Sequence, residues 1–180
     1  MIFCLIGSSA SGKTTVETLL SEVGIKRIIS YTTRPMRKGE KNGVQYHFID
    51  DDTFLKMASE GKFAETAKYR EWFYGLSLEG IDYKNDNYVV VVTIHGYKEL
   101  VKIIGKENVI AINIKVEERE RLIRQLERGD DVDEVVRRLH ADREDFKDVE
   151  KICDYVVENK QIANTTKEVY SIIERYSTAK

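Results

Sequence analysis

Residues 7–15 read GSSASGKTT and follow the apolar run IFCLI. Gly7, Gly12, Lys13 and Thr14 occupy the fixed positions of the pattern G-x-x-x-x-G-K-S/T. That spacing suits a loop whose backbone N–H groups converge on phosphate oxygens, with glycines where a Cβ would block the approach. A helix beginning there points its positive end at the same anion. In such a loop Lys13 bridges the terminal phosphates as a point charge, and the Thr14 hydroxyl takes a place on magnesium.

A second group lies in Ser30 to Phe48, SYTTRPMRKGEKNGVQYHF. Arg34 and Arg37 stand three apart around Pro35, the only proline, whose fixed φ stiffens the turn. Two guanidinium forks and the Tyr46 hydroxyl suit a smaller phosphate group; a basic solvated loop is the other reading. A third group comprises Arg124 and Arg128, one helical turn apart, and Arg138 beyond the polar turn Gly129-Asp-Asp. The polar turn between two charged helices has the composition of a mobile flap over a site, although Glu120 and Arg124 also form an ordinary i, i+4 surface pair.

Positioning these groups requires a frame. Short apolar runs at 2–6, 26–30, 88–93, 108–114 and 154–158 are near-continuous and rich in β-branched residues, as strands buried on both faces are. Between them, 15–23, 96–104, 117–128, 133–147 and 165–176 repeat apolar residues near a period of 3.6. The expected class is α/β, with a five-stranded parallel core sheet flanked by helices in one domain spanning 1–180. The stretch 31–84 breaks the alternation and is read as an inserted subdomain, with one helix near 52–60 and short extended pieces. Residues 125–142 are read as a helical lid.

The chain has 180 residues, 29 basic and 31 acidic, and a net charge of -2, so nothing draws it as a whole to nucleic acid or an anionic membrane. Cys4 and Cys153 have no metal-ligand or disulfide-framework spacing and read as buried, reduced thiols. No run reaches membrane-spanning length, and IFCLI is too short for a signal segment, so a soluble cytoplasmic protein, monomer or homodimer, is expected.

Across nearly its full length the sequence resembles the guanylate kinase family. The family pattern STTRxxRxGExxGxxYxF is met by SYTTRPMRKGEKNGVQYHF, its F-x-E by Phe63-Ala-Glu65 and its YG by Tyr74-Gly75. The lid pattern is met by RQLERG at 124–129 and by Arg138-Leu139, and DYVVxN by 154–159. The resemblance implies a P-loop kinase fold and Mg2+-dependent, in-line transfer of a phosphoryl group from ATP to GMP or dGMP. It assigns the ATP site to Gly7, Ser8, Ser9, Ala10, Ser11, Gly12, Lys13, Thr14, Thr15 and Asn159, the last near the adenine. It assigns the GMP phosphate to Arg34, Arg37, Tyr46 and Tyr74 beside Gly75, and the guanine to Ser30 and Glu65. Lys13, Arg124, Arg128 and Arg138 become catalytic, and Thr14 the metal contact. One ionised carboxylate accepts both guanine N1–H and N2–H, a donor pair that adenine lacks, which supports Glu65 on chemical grounds.

Four positions depart from the family. Leu76 follows Tyr74-Gly75 where the family has Ser or Thr, with Ser77 one place later. Val91 and Thr93 replace the acids of D-x-D, and His95 replaces a Gln. Leu76 and the lost acids keep open a same-scaffold kinase with another acceptor. A further alternative is an inactive module that binds a phosphopeptide, which would have no use for Lys13, Thr14 or the lid arginines. His47 and His140 have no neighbours that suggest acid–base work, and phosphoryl transfer to an ionised phosphate needs none.

Overall fold

The computed structural model describes residues 1–37, 39–69 and 71–177. Its centre is β1 (Ile2–Ile6), buried at all five positions. On one side β1 pairs with β7 (Tyr88–Val91), which pairs with the short β2 (Lys26–Arg27); on the other it pairs with β8 (Val109–Lys115), then β9 (Tyr155–Glu158). The order is β2-β7-β1-β8-β9, and every pairing is parallel. The middle of such a sheet is covered on both faces, which is why β7, β1 and β8 read as unbroken apolar runs.

Alternate residues of β1 enter two different cores. Ile2, Cys4 and Ile6 pack with Tyr97, Leu100 and Ile104 of α3 (Ile94–Ile104). Phe3 and Leu5 pack with Val16 and Leu20 of α1 (Lys13–Glu22) and with Val169, Ile172 and Ile173 of α7 (Ile162–Ser177). Each such aliphatic or aromatic side chain contributes about 1.5–3 kcal/mol on burial. Cys4 is fully buried in mid-strand, between Val90 and Ala111, and burial pushes its thiol far up. Cys153 is free and only partly buried.

Two strands are shorter than their apolar runs. β2 stops at Arg27: Ile28 N–H still donates to Val89 O, but the chain then leaves, and Ser30 O accepts from His47 N–H in a second sheet. β7 stops at Val91, because Thr93 becomes the N-cap of α3, its hydroxyl accepting from Gly96 N–H at 3.0 Å. The helix accordingly begins at Ile94, two residues before the periodicity starts.

The second sheet has the order β4-β3-β6-β5, from β3 (Tyr31–Thr32), β4 (His47–Phe48), β5 (Glu65–Tyr69) and β6 (Trp72–Leu76). α2 (Asp51–Ser59), capped by Asp50, presses Phe54 onto it. Phe54 stacks on Phe63 and Phe73 at centroid distances of 4.7 and 5.3 Å. Two charged helices, α4 (Glu118–Glu127) and α5 (Val132–Asp145), follow β8, and Gly129 turns between them at φ +80°. The short α6 (Val149–Ile152) leads into β9.

Candidate active site

The chain crosses to one side of β1 for β2 and β7 and to the other for β8 and β9, so the carboxyl end of β1 is the topological switch point where open α/β sheets take ligands. The loop 7–12 fills it. Gly7 passes so close to β8 that a Cβ would stand 2.5 Å from Ile114 O. Gly12 has φ +96° and would place a Cβ 2.4 Å from the Asn159 amide nitrogen. It is also the N-cap of α1, with no side-chain cap and no acid in the first turn, so the helix presents uncompensated positive charge.

A cavity of about 530 Å³ opens over this end, lined by Lys13, Thr14, Thr15, Arg124, Arg128 and Asn159 among others. The Lys13 ammonium donates to Gly7 O at 2.6 Å and Ser8 O at 2.9 Å. Enclosure by the loop removes water from that charge and pulls its pKa down to about 8, with Asp142 working in the opposite direction. The Thr14 and Thr15 side chains are exposed on the first turn of α1.

Two of the expected ATP-site residues also brace the loop. Ser9 donates its N–H to Asp142 Oδ2 at 2.8 Å, so that group is turned away from any phosphate. Asn159 is 4 % exposed; its amide donates to Ser11 O at 2.8 Å and accepts from the Thr165 hydroxyl at 3.0 Å. Asn159 therefore supports the loop from behind, although it reaches the cavity wall.

The charged helices bring their arginines toward the loop. Arg124 reaches Ala10 O and Asn159 O, each at 3.5 Å, as well as Glu120. Arg128 and Arg138 converge on one carboxylate, Asp130: Arg128 Nε donates to it at 2.9 Å and an Arg138 terminal nitrogen at 3.0 Å. These cations, with Arg37 from the other sheet, hold the Asp130 carboxyl below its ordinary range, the Arg128 hydrogen bond being the largest cause. Arg138 also pairs with Glu134 at 2.7 Å.

On the second sheet, Arg34 is 5 % exposed and clamped by Glu40, one nitrogen donating to both oxygens at 2.7 and 2.9 Å. Glu40 also accepts from Arg37 N–H at 2.7 Å, so one acid fixes the turn carrying both arginines. The Arg34 guanidinium lies 5.7 Å from the Tyr46 ring, which meets Tyr74 edge-on at 5.9 Å. Burial pushes the Tyr46 hydroxyl up to about 12, keeping it a donor.

Glu65 stands apart from this cradle, at the start of β5. Its carboxylate rests against Gly96 in the first turn of α3, where a Cβ would come within 3.1 Å of it. Burial raises its pKa; His95 opposes that rise and Glu99 adds to it. Leu76, opposite Glu65 in the β5–β6 ladder, is buried in the core against α3. Gly75 owes its identity to packing, since a Cβ there would stand 2.8 Å from the Phe63 ring. Ser30 is half-buried at the entry to β3, His47 packs on the Tyr31 ring, and His140 is exposed.

Sequence reasoning missed four charged residues. Glu17, buried on α1, pairs with Arg27 at 2.8 Å and accepts the Val91 N–H that the departing β2 leaves open. Arg121 and Asp142 form a buried pair at 2.8 Å between α4 and α5. The available signal for Arg121 was its spacing, on the same helical face as Arg124 and Arg128. Among the described residues no group of three His, Cys, Asp or Glu converges as a metal site, and no helix is long and apolar enough to cross a membrane.

Comparison with known proteins is consistent along the chain. The guanylate kinase family model matches residues 2–176. A guanylate kinase from Nitrosomonas europaea is 33% identical, covering 96% of this chain and 88% of its own, and one from Anaplasma phagocytophilum is 32% identical over 96% and 85%. The crystal structure of guanylate kinase from Anaplasma phagocytophilum superposes with a TM-score of 0.80 at 28% identity, covering 98% of this chain and 85% of that one.

Proposed function

We propose residue roles that follow from one premise: this chain belongs to the guanylate kinase family and phosphorylates GMP at the expense of ATP. The triphosphate lies along the loop 7–12 against the N-terminus of α1, with Lys13 on its terminal phosphates. GMP, or dGMP, sets its phosphate between Arg34, Arg37, Tyr46 and Tyr74. Its guanine edge meets Glu65, with Ser30 as a further polar contact. Arg124, Arg128 and Arg138 act from the lid, exchanging Glu120, Asp130 and Glu134 for the oxygens of the moving phosphoryl group.

The acceptor is already ionised, so catalysis consists of in-line positioning and charge neutralisation, without a general base. Magnesium is held by few protein oxygens and completes its shell with water and substrate phosphates, so the exposed Thr14 hydroxyl suits it as a protein ligand. When bound, Mg2+ supplies positive charge to the phosphates. Cytoplasmic location fits the substrates.

The Glu65 carboxylate against Gly96 carries the acceptor assignment. The test is a panel of nucleoside monophosphates with MgATP, scored by diphosphate formation against a Lys13→Ala control. GMP and dGMP turn over above the control; turnover of another base in their place would overturn the assignment.

A further inference from the structure

The phosphate loop is fixed on its lid side by two side chains that the assigned roles leave unused. Asp142 Oδ2 accepts from Ser9 N–H at 2.8 Å, and Oδ1 accepts from the Ser9 hydroxyl at 3.4 Å. Arg121 donates to Asp142 at 2.8 Å and to Ser9 O at 3.4 Å. Both backbone groups of Ser9 are thus held by the helices that flank the lid turn. Asp142 is 8 % and Arg121 6 % exposed.

The pattern along each helix gives this a direction. Arg121 and Arg124 on α4 and Arg128 at its C-cap follow at i, i+3 and i+7, and Arg138 and Asp142 at i, i+4 on α5. Each helix therefore carries, along one face, a root residue that grips the loop and one or two arginines nearer the tip. A buried ion pair is weak evidence of stabilisation, since an apolar pair of similar volume often serves as well, and here the Arg121 Nε lacks a partner. A reason other than stability is needed, and Ser9 supplies one.

We infer that Asp142 and Arg121 are positioning residues that set the phosphate loop's shape and its distance from the lid arginines, an inference that rests on the kinase reading above. The pair acts through Ser9 and touches no substrate. It should govern the triphosphate site and leave the monophosphate cradle, built on the other sheet, unaffected.

The test compares Arg121→Leu/Asp142→Leu with Asp142→Asn, which keeps an acceptor for Ser9 N–H. Calorimetric titration with β,γ-methylene-ATP should show about tenfold weaker binding in the leucine pair, at a Tm near wild type, with GMP affinity unchanged. Asp142→Asn should bind the analogue within about threefold of wild type. Wild-type affinity in a folded leucine pair, equal losses for ATP and GMP, or an Asp142→Asn variant as weak as the leucine pair would each overturn the inference. If the leucine pair does not fold, Asp142→Ala, which removes the acceptor for Ser9 N–H, takes its place, and wild-type affinity for the analogue in that variant overturns the inference. Wild-type protein assayed for GDP alongside tests the kinase reading separately, since the ATP-analogue titration does not depend on the acceptor.

Discussion

Lys13 is held by the carbonyls of its own loop, and that enclosure sets its proton affinity. With a pKa near 8 it is charged at neutral pH and loses its charge just above. Affinity for an ATP analogue should therefore fall by up to about tenfold per pH unit above pH 8, measured by titration calorimetry. Stability responds with the opposite sign: between about 8 and the ordinary 10.5 the unfolded chain binds more protons here, so this residue's cost to folding is relieved as pH rises. Glu65 offers a second check. Glu65→Gln replaces a two-acceptor fork with one acceptor and a misplaced donor, so kcat/KM for GMP should fall about 10- to 100-fold while KM for ATP stays within twofold. Equal damage to both substrates would remove Glu65 from the base site.

At the level of elements, the β3–β6 sheet depends on aromatic stacking that leaves no room at Gly75. Gly75→Ala should destabilise by about 1–3 kcal/mol through forced displacement of Phe63, visible as a lower Tm. Near-native Tm would mean that the ring moves aside freely. The strand–loop–helix around GSSASGKT was legible because its residues are contiguous and each obeys a local rule: a buried run, glycines at close approaches, a helix start. The arginine turn was half legible: two guanidinium forks and a tyrosine suit a phosphate, but a basic solvated loop fitted as well, and the family resemblance alone favoured the first. The premature end of β2 was not, since KRIIS remains apolar through Ile29 and only the pull of the second sheet on Ser30 stops the ladder. Nor was the Asp142 contact, which joins residues 133 apart in sequence. Such pairs follow from topology, and composition carries no trace of them.

For the whole molecule, two sheets divide the work. The parallel sheet fixes the loop at its switch point, and the smaller sheet carries the proposed acceptor cradle, so that α1, α3 and the pair α4–α5 approach one region from different directions. Glu65 against α3 shows the two sheets meeting, through a glycine that leaves the carboxylate room. The same architecture places Cys4 in the central strand, walled by helices on one face and by neighbouring strands on either side. A thiol reagent reaches it only when the sheet opens, whereas Cys153 lies nearer the surface. Native protein should thus take up its first label at Cys153, slowly for a thiol near the surface because burial pushes its pKa up to about 12, and the second later still, at a rate set by global unfolding and slowed further by ATP. The chain carries its own clock for the opening of its core, readable by mass without an added probe; two labels of equal speed would show that the sheet opens locally.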